Sequence, residues 1–223
     1  MSNTTVPTPA NPAGWKFETR QIHAGQAPDA ATGARALPIY QTTSFVFKDT
    51  DDAANLFSLQ KYGNVYSRLS NPTVAALEER IASLEGGIGA VATASGMAAE
   101  FITFAALCQA GDHIVASSQL YGGTVTQLDV SLRRFGIETT FVEGTDPADY
   151  KAALTENTKA IYTEVVANPS GEIADLEGLA AVAHEAGVPL VVDATISTPY
   201  LIRPLEHGAD IVIHSATKFL GGH

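Results

Sequence analysis

An α/β fold with a mainly parallel central sheet between helices is what the sequence predicts, and three observations carry it. VPLVVD (188–193) and DIVIH (210–214) are nearly continuous apolar runs, the pattern of strands covered on both faces. From Asn71 onward such runs alternate with stretches of helical periodicity, the βαβ rhythm of a parallel sheet. Polar, chemistry-bearing residues gather where strands give way to loops, the edge at which open parallel sheets bind ligands.

In chain order, residues 1 to about 14 are rich in Pro, Asn, Ser and Thr and are expected to be mobile. Trp15 to about Tyr66 is irregular, broken by Gly25, Pro28, Gly33 and Pro38; YQTTSFVF (40–47) alternates, and only Asp51 to Gln60 has a helical pattern. This part reads as an N-terminal arm, residues 1–65, and 66–223 as one large domain. Asn71-Pro72 is a helix start, a capping side chain followed by proline at the first helical position. Val74, Leu77, Ile81 and Leu84 recur at helical spacing, Leu77, Ile81 and Leu84 being expected in the core, and Gly86-Gly87 stops the run. Then follow a strand at 88–94, a helix at 97–109, a strand at 113–117, a helix at 124–135 and a strand at 137–142. A short helix follows Pro147, a strand spans 159–166, and a helix at 176–186 ends at Gly187. Strands at 189–193 and 211–214 complete the series.

Composition removes several function classes. Lys and Arg number 13 against 24 Asp and Glu, a net charge of −11, which disfavours binding to nucleic acid or an anionic membrane. Cys108, the single cysteine, lies on an apolar helix face as a core residue, precludes an intrachain disulfide and fits a reducing compartment. MSNTTVPTPANPAGW lacks the basic and apolar regions of a signal peptide, and no stretch approaches the roughly 18 apolar residues of a membrane span. A cytoplasmic protein is expected. The six histidines show no metal-ligand spacing, so core or surface roles are expected for them and no metal site.

Five polar clusters stand at the expected strand exits: Ser95-Gly96-Met97, Ser118 to Tyr121, Asn168, Asp193-Ala-Thr195, and Ser215-Ala-Thr-Lys218. A helix N-terminus with a glycine offers free N–H groups and a positive dipole end to a phosphate, although Ser95-Gly96-Met97 alone is equally a plain turn. No G-x-G-x-x-G or P-loop signature is present. Asp193 ends an apolar strand, where a carboxylate calls for a cation or several donors. Lys218 near a ligand edge can be desolvated into a nucleophilic amine. Ser215-Ala-Thr-Lys218 also fits S-x-x-K, but the S-D-N and K-T-G of that acyl-transfer chemistry are missing. Pyridoxal 5'-phosphate (PLP) unites the clusters. It needs an amine for its aldehyde, a carboxylate for its ring nitrogen, a flat partner and phosphate donors. Lys218, Asp193, Tyr121, and the Ser95 turn with Ser215 and Thr217 supply these in turn.

YSRLSNPT (66–73), TASGMAA (93–99), LYGGT (120–124), NPSG (168–171), VVDAT (191–195) and HSATKFLGGH (214–223) resemble the PLP-dependent enzymes of cysteine and methionine metabolism, in order and spacing, over essentially the whole chain. PIYQTTSFVF and LFSLQKYGNVYSR are most similar to the O-acetylhomoserine sulfhydrylase branch. The resemblance implies the PLP-dependent transferase fold, aspartate aminotransferase-like (fold type I). Residues 66–223 would then be a cofactor-binding domain left incomplete by the absence of a small C-terminal domain. It makes Lys218, Tyr121 and Tyr66 the catalytic residues. Lys218 would hold the cofactor and move protons, Tyr121 stack on its ring, Asp193 pair with the ring nitrogen beside Thr195, and Asn168 bond near the ring hydroxyl. Gly96, Met97, Ser215 and Thr217, with Ser95, would hold the phosphate, and Tyr66 and Arg68 would reach the phosphate in a neighbouring subunit.

The implied reaction is γ-replacement on O-acetylhomoserine by sulfide or methanethiol, in a homotetramer built from dimers with shared sites. Cystathionine γ-synthase or γ-lyase, or methionine γ-lyase, is the alternative, and a non-catalytic binding relative is disfavoured by the presence of both Lys218 and Asp193. Ala194 departs from the asparagine many relatives carry. The family's arginine for the substrate carboxylate belongs to the missing C-terminal domain, so a fragment is expected to end at His223.

Overall fold

The computed structural model describes residues 14–221. The first thirteen residues, expected to be mobile, and Gly222-His223 lie outside them. The chain divides into two compact units, Met1–Ala92 and Thr93–His223.

In the first unit, α1 (Phe17–His23), α2 (Thr50–Phe57) and α3 (Pro72–Glu85) are joined by irregular chain. Asn71 caps α3 by accepting from Thr73 N–H at 2.9 Å, and Gly86 ends it at φ 81°, a left-handed turn that glycine adopts without strain. Arg20 and Arg80 tie α1 to α3. Arg20 donates to the Ser83 carbonyl, while Arg80 donates to the Ala24 carbonyl and the Gln26 amide oxygen. Asn71 also donates to the Tyr40 carbonyl and Thr73 to the Pro38 carbonyl. The alternating 40–47 run makes one antiparallel bridge, Ser44 to Tyr66, rather than a strand.

The second unit opens with α4 (Gly96–Leu107), β1 (His113–Ser117) and α5 (Gly122–Thr126), which continues as a π turn over Gln127–Leu132 and a 3-10 turn to Phe135. Then come β2 (Glu138–Val142), α6 (Pro147–Ala153), β3 (Thr158–Glu164), α7 (Leu176–Glu185), β4 (Leu190–Asp193), α8 (Thr198–Leu201), a 3-10 turn at Pro204–His207 and β5 (Ile211–Ile213). The strands form one sheet in the order β2-β1-β3-β4-β5, every neighbouring pair parallel. Register sets Glu164 opposite Asp193, and Asp193 opposite Ile213, so the C-terminal strand ends share one edge.

Alternate strand residues feed two cores. Val115, Ile161, Leu190 and Val192 pack with Leu176 and Leu179 of α7. Ile114, Ala116, Tyr162, Val191 and Ile213 pack on the opposite face with Phe104, Leu128 and Leu132. Phe104 meets Tyr162 edge-on, ring centroids 5.3 Å apart. Truncating such a side chain costs about 2–5 kcal/mol, the lost transfer energy plus the cavity left behind.

The expected strand at 88–94 does not form among the described residues. Gly87 precedes the run and Gly89 interrupts it, Ile88 and Val91 are exposed, and no described strand pairs with it. An apolar run needs a hydrogen-bonding neighbour to become a strand. Ser95 therefore stands at a helix start without a strand before it. Helix α1 is an addition to the sequence reading. So are the π and 3-10 turns that replace all but the first turn of the helix expected at 124–135.

Candidate functional site

Ser95 caps α4, its hydroxyl accepting from Ala98 N–H at 3.1 Å. That leaves the first N–H groups of α4, at Gly96 and Met97, outside the helical hydrogen-bond pattern, with the positive end of the dipole behind them. A Cβ on Gly96 would lie 2.8 Å from the Ser215 Cβ. The loop after β5 and the start of α4 thus meet at a point where only glycine fits.

Two further links run through Thr195. Its N–H donates to Asp193 Oδ1 at 2.7 Å, and its hydroxyl accepts from Ser215 N–H at 2.8 Å. The end of β4 and the turn after β5 are joined by this one residue, and Lys218 follows in a turn closed by its N–H to the Ser215 carbonyl, 3.2 Å. Thr217 and Lys218 are exposed. Tyr121 precedes α5 with its ring half exposed, beside Gly123; a Cβ there would meet the ring and lie 3.3 Å from Met97 Sδ. Asn168, exposed, begins a cis Asn168-Pro169 bond. The structure therefore brings Ser95, Gly96, Met97, Tyr121, Asn168, Asp193, Thr195, Ser215, Thr217 and Lys218 into the second unit, at the start of α4, at the end of β4 and in the loops beyond the C-terminal strand ends. Tyr66 and Arg68 belong to the first unit, with the Arg68 guanidinium 5.6 Å from the Tyr66 ring centre.

Two acids absent from the sequence reading stand close to these residues. Glu164, buried at the end of β3, accepts from Tyr121 N–H at 2.7 Å and from Asn168 N–H at 3.1 Å. Glu100, buried in α4, accepts from the Thr124 and Tyr162 hydroxyls at 3.0 and 3.3 Å. Burial pushes both carboxyls up to about 7, and the Asp193 charge adds to the rise in each. Burial also raises Asp193, partly offset by its Thr195 hydrogen bonds and by nearby His214. Three mutually repelling carboxyls in a poorly solvated place favour a cation. Glu164 was legible in one respect, since it closes a buried strand as Asp193 does; the strand expected to run through to 166 hid it.

This donor set fits PLP. Free N–H groups against a serine suit a phosphate, a ring lies over a small residue, and the partly buried Asp193 carboxylate suits a protonated ring nitrogen. A cavity of about 10 Å³ bordered by Ser117, Thr163, Glu164 and Glu172 holds no more than a water; it is not the cofactor's place. Other candidates have quiet roles. Cys108 is buried, its thiol pushed up to about 11 by that burial. His113 is held between Thr158 and Thr140, and His184 and His207 pair with Asp210 and Glu177. No group of three or more His, Cys, Asp or Glu among the described residues is placed to share a metal ion, and no described helix is long and apolar enough to cross a membrane.

Known proteins resemble this chain over most of its length. A sulfhydrylase from Fusarium oxysporum f. sp. lycopersici is 58% identical over 208 residues, 93% of this chain and 48% of the relative. An O-acetyl-L-homoserine sulfhydrylase from Leptospira meyeri is 52% identical over 212 residues, 95% of this chain and 48% of the relative. The chain thus spans about half the length of the curated relatives it matches. A crystal structure of an O-acetylhomoserine (thiol)-lyase from Campylobacter jejuni, containing N'-pyridoxyl-lysine-5'-monophosphate, superposes with a TM-score of 0.91 at 38% identity, covering 94% of this chain and 51% of that one. The family model for Cys/Met metabolism PLP-dependent enzymes matches residues 18–223. With its parallel sheet, its lysine after the last strand and its acid at the end of β4, the chain belongs to that family.

Proposed function

We propose that the whole protein replaces the γ-acetoxy group of O-acetylhomoserine with sulfide or methanethiol, giving homocysteine or methionine plus acetate. Relatives named as O-acetyl-L-homoserine sulfhydrylases support the substrate. The hydrogen-bonded run Asp193–Thr195–Ser215 carries the reading on the structural side. It fixes a ring-nitrogen acceptor and a phosphate-side serine in one frame, with Lys218 in the same turn.

When bound, PLP supplies an aldehyde for the substrate amine and an electron-accepting ring. The chain's own residues do the rest. Lys218 provides the amine that holds the cofactor and moves protons at the substrate's Cα and Cβ. Asp193 keeps the ring nitrogen protonated, so charge leaving Cα has a place to go. Tyr121 stacks on the ring, and Asn168 bonds beside the ring hydroxyl. Gly96 and Met97 N–H groups, Ser215 and Thr217 bind the phosphate, with Ser95 fixing the helix start. Tyr66 and Arg68 serve the neighbouring subunit's phosphate in a dimer-built tetramer. A single cysteine and a family of metabolic enzymes support a cytoplasmic setting.

Full-length protein given O-acetylhomoserine and sulfide should release acetate and homocysteine in equal amounts. Faster turnover of O-succinylhomoserine, cystathionine or methionine would replace this reading with a γ-synthase or γ-lyase.

A further inference from the structure

We propose that Glu164 is a positioning residue, whose carboxylate holds the Tyr121 and Asn168 segments at the separation that a flat cofactor ring between their side chains requires. The inference rests on the PLP reading of the site. Tyr121 follows β1 and Asn168 follows β3, adjacent parallel strands whose pairing ends at Ala116 and Tyr162. Beyond that ladder Glu164 links the two loops, each carboxylate oxygen accepting one of the two backbone N–H groups. Both side chains assigned to the cofactor are exposed, so their placement depends on the backbone anchors beneath them.

A carboxylate is a costly choice for a structural anchor at this place. Glu164 is 7% exposed and lies opposite Asp193 in the β3–β4 register, so two like charges share a site of low solvation. A cationic ring at Asp193 offsets that repulsion. The ionised form is also the better latch, because both oxygens then accept with full negative charge. Thr124, just past Tyr121, is held in its turn by Glu100 from α4. The Tyr121 segment is thereby fixed on two sides, and the Asn168 segment through Glu164.

The test uses full-length protein carrying Glu164→Gln, with Glu164→Asp as the milder variant. Glutamine keeps the size but offers one acceptor and turns an NH₂ toward the other N–H. Amide exchange of the peptides containing Tyr121 and Asn168, measured without cofactor, should quicken by about tenfold or more in Glu164→Gln and by less in Glu164→Asp. With PLP bound, visible circular dichroism per bound cofactor should drop. kcat should fall by roughly tenfold with KM little changed, as expected when geometry rather than binding is lost.

Unchanged exchange at both peptides overturns the proposal. So does a lowered melting midpoint accompanied by normal dichroism per cofactor and normal kcat, which is what a merely structural role gives. If Glu164→Gln fails to fold, the same readings on Glu164→Asp decide. Wild-type protein that takes up no PLP would instead refute the cofactor reading, and amide exchange would still show whether the latch exists.

Discussion

Gly96, the first residue of α4, lies so close to Ser215 that a Cβ placed on it would come within 2.8 Å of the serine's Cβ and 3.3 Å of its Cα. The contact joins the helix N-terminus to the turn that carries Lys218, and it makes glycine a requirement of packing as well as of phosphate approach. Gly96→Ala should lower stability by roughly 1–3 kcal/mol, the usual cost of overpacking, and weaken PLP binding. Adding Ser215→Gly should restore the melting midpoint by making room, without restoring affinity. An unchanged midpoint in the single variant would show that the two segments are not packed this way.

Purified full-length protein should be yellow, and borohydride should fix the cofactor on Lys218. The lysine follows Ser215, whose carbonyl accepts its N–H, within the turn after β5. Peptide mapping that places the adduct on another lysine would remove Lys218 from its role.

Asp193→Ala should leave the fold largely intact, because the residue is only partly buried at the last position of β4. Without the carboxylate the ring nitrogen loses its protonated state, and turnover should fall about a hundredfold or more, as when a charge-stabilising partner is removed. Steady-state rates at saturating PLP check this. Near-normal turnover would mean that another acid pairs with the ring.

Much of this arrangement is legible in the amino-acid sequence. Continuous apolar runs gave the parallel strands at 190–193 and 211–213, because burial on both faces leaves a compositional mark. Asn71-Pro72 marked the start of α3 because capping is local chemistry. The strand expected at 88–94 failed because pairing is non-local, and its partner is not written in its own residues. Glu164 and Glu100 escaped notice because burial of an acid is a tertiary fact. Periodicity counts the glutamate in EFITFAAL as a polar interruption, while the fold sets it against Thr124 and Tyr162.

Glu100 makes the cofactor-free protein sensitive to pH. Burial raises its folded pKa from 4.5 to about 7, so the folded state holds the proton more tightly than the unfolded chain does. Its contribution is fully present below about pH 4.5 and is lost as pH rises through 7, on the order of 3 kcal/mol at most. Glu100→Gln, still able to accept from Thr124, should therefore gain stability relative to wild type between pH 5 and pH 8. Urea midpoints at the two values test it, and a difference that does not grow with pH would place the charge cost elsewhere.

Subunit complementation tests whether Tyr66 and Arg68 act across an interface. Arg68 lies over the Tyr66 ring, so the pair presents one cation and one hydroxyl together, a combination suited to phosphate. Lys218→Ala and Arg68→Ala chains are mixed in equal amounts and allowed to exchange. In a two-fold dimer of unlike chains, one site combines an intact Lys218 with the intact Arg68 of the other chain, and the second site carries both lesions. Random pairing makes half of the dimers mixed, so activity should rise toward roughly a quarter of wild type, from the symmetry of an isologous dimer. If Arg68 serves its own chain's site, every site in the mixture keeps a lesion. Verified exchange with no gain over either parent would reject the shared site.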